Sequence, residues 1–438
     1  MSELPIVEPH YAPVPELVPR CHRDLPRGPS HAFAARMAAE LLGVRPGRPR
    51  LVGSAEGGIG RMLLTIPRYA AAEHDGAPNP LAAVYRDLLR QLPAGVGLVV
   101  LTHDAVEPTV RGWLDEAGRS AEATLVPAPD YLNFSVWAED GYVVVDDLDT
   151  GETSFVEPAY FRRRGDALVA DYVAGATDLG AFQAPLYLQG GNVLVGDDFF
   201  LVGIDYPTQN VEEGIVTLGP GETVKSLLDR LYRAYLDHQR RAIFVGSTLP
   251  VPSEQQREIT LNGERWREVR YFGNEAPTRQ PLFHIDMFVT LAGRGQDGRY
   301  RVLVGDPRMA AETLGTRVRE HAMAQVFDNI AKQLEKEGFA VTRNPLPLVY
   351  VDDPAERVRT WYFATSNNAL VHAPSEGPRT VFLPSYGHGP YAALAVTDAQ
   401  NRALWERLGY EVRMLADFHP LASSLGAVHC IKKYLARG

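Results

Sequence analysis

From about Arg61 onward, apolar runs broken by turn residues alternate with amphipathic segments in the order hairpin, helix, buried strand. No body built from one kind of element accommodates that alternation, so the chain is expected to be α/β. Hairpins are expected over 141–158, 192–205, 287–306 and 360–374, each a β-branched or aromatic run interrupted by Gly, Asp or Asn. Helices are expected over 80–92, 222–237, 318–338 and 397–409, the last opened by a Thr-Asp cap and closed by Gly409. Short apolar strands at 97–102, 241–247 and 379–385 stand beside them. No sequence repeat accompanies the rhythm. Residues 1–60 are rich in proline and arginine and hold one clear helical pattern, at 31–43, so they read as an N-terminal extension to a single domain over 61–438.

Composition narrows the function. The chain has 438 residues, 45% of them hydrophobic and 22% charged, enough to bury a large core. No stretch approaches the roughly 20 apolar residues of a membrane span. The first residues carry acids and prolines where a secretory signal needs a basic start and an apolar run, so a cytoplasmic protein is expected. A net charge of -10 argues against a nucleic-acid surface. The two cysteines, Cys21 and Cys430, are too few for a disulfide framework or a cysteine-rich metal site. Asp146, Asp147 and Asp149 faintly resemble a calcium loop but lack its distal glutamate, and read better as a hairpin turn; no metal and no cofactor is expected.

Four places set a reactive or charged side chain beside a tight turn or a strand end. They are Trp137 to Gly141, Gln189-Gly190-Gly191-Asn192, Phe283 to Phe288, and Gly426 to Ile431. If the third is a strand, alternation puts His284 and Asp286 on one face. His429 would then point away from Cys430's side and into packing.

These residues resemble the guanidino-group-modifying, or pentein, superfamily of deiminases, dimethylarginine hydrolases and amidinotransferases. The resemblance rests on the Trp-x-x-Asp of Trp137 and Asp140, the Gly-Gly-Asn of Gly190 to Asn192, the His-x-Asp of His284 and Asp286, and the Val-His-Cys of Val428 to Cys430, in the family's order. It implies an α/β fold of five ββαβ modules, a five-bladed propeller around a central channel. It implies Cys430 as nucleophile, His284 as acid and base, and Asp140 and Asp286 as guanidinium-binding catalytic carboxylates. It also implies that Trp137, Gln189, Gly191 and Asn192 line the substrate. Dimers are common in the family, so the resemblance allows a homodimer, but the sequence itself does not give the oligomer. Three departures bear on the substrate: Gln189 where glutamate is frequent, Glu139 where arginine is common, and Lys432 where threonine often stands.

The chemistry explains the residue types. A guanidinium is planar and resonance-stabilised, so attack at its carbon needs a strong nucleophile and a clamp for the charge. Two carboxylates can each accept paired N–H bonds. A thiol with a pKa of about 8.5 needs a neighbouring cation to ionise it at neutral pH, either protonated His284 or the substrate. The expected activity is a hydrolase converting an arginine derivative or peptidyl-arginine to its ureido product. An amidinotransferase on the same residues, and a guanidine-binding protein without turnover, are the alternatives. His388 and His419, in glycine- and proline-rich loops, read as packing or surface histidines.

Overall fold

A computed structural model describes residues 45–438 apart from Asp75 and Glu275. Cys21 and the helix expected over 31–43 lie outside the described residues. The described chain falls into two compact units. The first comprises 45–79, Leu92–Phe244 and Cys430–Gly438; the second comprises Pro80–Gln91 and Val245–His429.

In the first unit, Val143–Asp147 and Thr153–Glu157 form an antiparallel pair, and Gly180–Gln183 joins parallel after the helix Val169–Ala174. Pro49–Leu51 pairs on the other edge of that sheet. Val193–Val195 and Phe199–Gly203 make the next hairpin, followed by helices Asp205–Glu212 and Val224–Tyr235 and the strand Arg241–Val245. Thr223 opens Val224–Tyr235 with a capping box, accepting from the Ser226 N–H while Ser226 accepts in return. In the third sheet Lys432–Arg437 runs antiparallel to Ile59–Ile66, which is parallel to Gly97–His103 and through it to Ala123–Ala128. The strand that follows Cys430 is thereby fixed by pairing along its length. Gly97–His103 is buried at six of its seven positions, as its unbroken apolar run demands.

The second unit repeats the order. Val289–Arg294 and Tyr300–Asp306 pair antiparallel, helices Pro307–Thr313 and Ala324–Lys336 follow, and Ala340–Pro345 returns parallel to Tyr300–Asp306. Asp306 makes the strand-to-helix junction: its carboxylate accepts from the N–H groups of Arg308 at 2.8 Å and Met309 at 3.2 Å, with Pro307 at the first helical position. Leu370–His372, Thr380–Ser385, helix Ala395–Arg407 and Glu411–Asp417 repeat the pattern. A third sheet has the order Gln255–Leu261, Glu264–Arg270, Val358–Phe363, Leu348–Asp353.

Three expectations fail locally. Residues 360–374 are not a hairpin: Val358–Phe363 pairs with Leu348–Asp353, whereas Leu370–His372 pairs with Thr380–Ser385, so the two runs belong to different sheets. The helix over 318–338 is interrupted at Met323, which adopts a left-handed conformation between a short 3-10 turn and Ala324–Lys336. Thr397 and Asp398 do not cap the last long helix, which begins at Ala395; Asp398 instead accepts from the N–H groups of Tyr386 and Gly387, both at 2.8 Å. Among the described residues no helix is long and apolar enough to cross a membrane.

Candidate active site

In the first unit the chain turns at Trp137 to Asp140, the Asp140 N–H reaching back to the Trp137 carbonyl at 3.3 Å. Asp140 is fully buried. Its Oδ2 accepts from Nη2 of Arg163 at 2.8 Å, and the same guanidinium donates from Nε to Asp166. Asp166 is itself held by the Ser135 N–H and hydroxyl, both at 2.6 Å. A guanidinium of the chain thus sits between two buried carboxylates, one of them the residue expected to bind a substrate guanidinium. The Arg162-Arg163-Arg164 run was visible in the sequence, but nothing in its spacing pointed to Asp140.

Glu139, beside Asp140, has both carboxylate oxygens engaged by buried ammonium groups: Oε2 by Lys432 at 2.7 Å and Oε1 by Lys433 at 2.8 Å. Its backbone N–H donates to the Cys430 carbonyl at 3.1 Å. Two of the three departures from the family pattern, Glu139 and Lys432, are therefore partners of each other. Burial pushes the Lys433 ammonium below its ordinary pKa, and the Glu139 charge opposes that push. Tyr142, packed in the same interior, is pushed well up, first by burial and next by Glu139.

The Gly-Gly-Asn turn packs against this acid pair. The Gly190 N–H donates to the Asp140 carbonyl at 3.1 Å, and a Cβ on Gly190 would stand 1.9 Å from the Glu139 carbonyl oxygen, so only glycine fits. Gly191 is buried in the same 3-10 turn, and Asn192 ties it to Gly203 through Nδ2 at 3.2 Å. Gln189 donates to the Tyr187 hydroxyl at 2.7 Å, and Tyr187 stacks on Tyr160. Trp137 is buried, with its N–H on Ser135 Oγ at 3.2 Å. Cys430 is buried and takes part in no disulfide among the described residues.

In the second unit His284 is extended and buried, its ring 4.2 Å from that of Phe283. The strand expected to carry His284 and Asp286 is absent here: Ile285–Met287 winds into a 3-10 turn, and the strand begins only at Val289. Simple alternation does not apply. Asp286 Oδ2 lies 2.9 Å from Nδ1 of His429, which corrects the expectation that His429 turns away into packing. Residues 426–431 precede the strand Lys432–Arg437, so strand alternation never governed that side chain. Asn368 organises the loop: its Oδ1 accepts from the N–H groups of Ala427 at 3.1 Å and His429 at 2.8 Å. Neither Asn368 nor the role of His429 was read from sequence, although the His429-Cys430 pair was a signal to test both side chains.

Each unit thus buries one of the two expected carboxylates and meets it with a donor. His388 is exposed, with Nε2 2.6 Å from Ser385 Oγ, whereas His419 is a buried packing residue that stacks on Tyr391 at 3.7 Å. Among the described residues no group of acids, histidines and cysteine could hold a metal ion.

The class this architecture defines is an α/β fold shared with solved deiminase structures. Two solved structures carry the comparison. The X-ray structure of a candidate agmatine deiminase matches 89% of this chain and 96% of its own with a TM-score of 0.59 at 16% identity. The C. jejuni agmatine deiminase matches the same shares with a TM-score of 0.57 at 12% identity. No protein-family model and no curated protein matches the sequence.

Proposed function

We propose that the chain is a cysteine-dependent guanidino hydrolase, with Cys430, His284, Asp140 and Asp286 acting on one guanidinium group and the five repeats of hairpin, helix and strand serving as the five modules of the pentein fold. The observation that carries the reading is the Arg163–Asp140 pair: on a fold shared with agmatine deiminases, this buried carboxylate accepts a guanidinium at 2.8 Å. A substrate guanidinium would use the same charge-assisted geometry.

In the proposed reaction the Cys430 thiolate adds to the guanidinium carbon, forming a C–S bond. His284 gives a proton to one terminal nitrogen, the C–N bond breaks and ammonia leaves, with an amidino-thioether remaining on the sulfur. Water, deprotonated by His284, attacks the same carbon; the C–S bond breaks, the thiolate is regenerated and the ureido product departs. Asp140 and Asp286 hold the cationic carbon in line. The backbone bond from Glu139 to the Cys430 carbonyl, with the two lysines on the Glu139 carboxylate, keeps the nucleophile's strand in register with Asp140.

The test is incubation with arginine, Nα-acyl-arginine and agmatine, reading ammonia and ureido product, beside mass spectrometry after a haloacetamidine. The expected results are a ureido product, a single adduct on Cys430 that substrate blocks, and activity in Cys430→Ala reduced at least a thousandfold. Full activity in Cys430→Ala, or adducts elsewhere only, sinks the reading. Ornithine appearing with a new guanidino product when glycine is added would replace hydrolysis by amidino transfer.

A further inference from the structure

Within the second unit Asp286 and His429 meet at 2.9 Å, and both are buried. Neither is placed by a strand. Asp286 lies in the 3-10 turn Ile285–Met287, and His429 lies in the turn that precedes Lys432–Arg437. A carboxylate and an imidazole carried on turns keep a fixed separation only if other groups tie the two backbones together, because no strand ladder holds them.

The segment from Thr365 to Asn368 supplies those ties. Thr365 Oγ1 donates to the Met287 carbonyl at 2.6 Å, and the Asn367 carbonyl accepts from Thr290 Oγ1 at 2.5 Å. Asn368 Nδ2 reaches the Asp286 carbonyl at 3.5 Å, while Asn368 Oδ1 accepts from the N–H groups of Ala427 and His429. One amide side chain therefore touches both backbones. Asn367 is fixed in turn by Asn344: Nδ2 of each donates to Oδ1 of the other, at 3.0 and 3.1 Å. Thr365, Asn367, Asn368 and Asn344 are all buried. A buried polar network whose members are paired fixes one geometry, which is more than a core needs for stability alone.

The part played by the ring follows from its chemistry. An ionised carboxylate only accepts, so Nδ1 of His429 carries the proton shared with Asp286 Oδ2. That bond holds the carboxylate in one rotamer. Unlike the guanidinium that Arg163 gives Asp140, an imidazole donates this bond without needing a full positive charge. The negative charge of Asp286 then remains for a cation brought from outside. A carboxylate that clamps a planar cation contributes only while it is aimed, and the group that aims it matters as much as the carboxylate.

We propose that His429, braced by Asn368, is a positioning residue: it acts through Asp286, holding that carboxylate in the orientation that receives the substrate guanidinium, and transfers no proton itself. The proposal rests on the guanidino-hydrolase reading above and adds a residue to its site.

The test measures kcat and KM for arginine and agmatine in the wild-type protein, in His429→Ala, His429→Gln and His429→Asn, and in Asp286→Asn with and without His429→Ala. Calorimetry follows binding of the same two guanidines to proteins that also carry Cys430→Ala. In His429→Ala, KM is expected to rise about tenfold or more while kcat falls by less than about tenfold, the pattern of a lost binding contact. His429→Asn, whose amide nitrogen stands near the place of Nδ1, should bring KM back to within about threefold of wild type. His429→Gln sets its amide at the place of Nε2 and should not, which keeps the comparison open if His429→Ala fails to fold. Added to Asp286→Asn, His429→Ala should cost less than about threefold more, since a residue acting through another adds little once that one is changed. A kcat loss of about a hundredfold that Asn does not recover makes His429 an acid or base and overturns the proposal, as do an unmoved KM or losses that multiply. Each of these outcomes leaves the hydrolase reading intact. If neither guanidine is turned over, that reading fails; binding that weakens about tenfold in His429→Ala and returns in His429→Asn would still uphold the positioning role, and binding that ignores His429, or no binding, would end it.

Discussion

The two units hold their candidate carboxylates by opposite means. Around Asp140 the first unit is ionic: Arg163 spans Asp140 and Asp166, and Lys432 and Lys433 bracket Glu139. Around Asp286 the second unit relies on groups that need no permanent charge, the His429 imidazole on the carboxylate and the Asn368 amide beneath the loop. Elsewhere in that unit His419 is kept uncharged at neutral pH by burial, its pKa pushed down to about 4. An ionic frame resists small shifts of its members but fails badly when one charge is deleted, because the remaining charges stay buried. A hydrogen-bonded frame loses less on substitution and is exposed to acid instead.

The largest effect that contrast predicts is at Glu139. Glu139→Ala leaves two buried ammonium groups without their shared acid, and a loss of about 5 kcal/mol is expected, the upper end for breaking a buried ion pair. Urea unfolding measures it, and a loss below about 1 kcal/mol, the level of an exposed pair, would dissolve the distinction between the two frames. Next comes Arg163→Ala, which strands Asp140 and Asp166 and is expected to cost about 3 kcal/mol. Under the proposed function the same variant also removes an internal guanidinium from the substrate's carboxylate, so KM for a guanidino substrate should fall severalfold. A rise in KM would recast Arg163 as the group that positions Asp140 for substrate.

The acid response tests the other side. For His419 the folded pKa of about 4 lies below the ordinary histidine value of about 6.5, so between these pH values the unfolded chain binds more protons. Stability is complete above about pH 6.5 and falls as pH drops toward 4, by roughly 3 kcal/mol from this one group. His419→Gln should show a correspondingly shallower decline between pH 6.5 and 4. Parallel curves for the two proteins would show that burial of this imidazole is not what the folded state loses in acid.

Sequence made some of this legible and hid the rest for identifiable reasons. The hairpin, helix and strand order was readable because Val143–Asp147 and Thr153–Glu157 are β-branched or aromatic runs on either side of an Asp- and Gly-containing turn, and because Gly97–His103 is a continuous apolar run. The hairpin of Gln255–Leu261 and Glu264–Arg270 escaped notice despite the Asn262-Gly263 turn at its tip, with φ of 50° and 82°. Its strands are mostly polar or charged, with only Glu268 and Val269 buried, so they lack the apolar pattern by which strands are recognised. The split of 360–374 between two sheets could not be seen because pairing partners are a tertiary fact. In the site, residue types that chemistry demands were legible as motifs. Glu139 with Lys432 and Lys433, and Arg163 with Asp140, were not, because charge pairs far apart in sequence leave no local signature.

The smallest stability effect is predicted at Asp286, and there stability and function should separate. In Asp286→Asn the amide oxygen can still accept from His429 Nδ1, so only the charge-assisted part of that bond is lost, about 1 kcal/mol. The proposed clamp needs the negative charge itself, since a neutral amide offers the substrate cation one acceptor and a repelling N–H pair. Turnover of the preferred guanidine should therefore fall at least a hundredfold in a protein whose unfolding midpoint barely moves. Asp140→Asn should lose both together, because there the carboxylate also compensates Arg163. If Asp286→Asn keeps its activity, Asp286 serves only to orient His429, and the clamp consists of Asp140 alone.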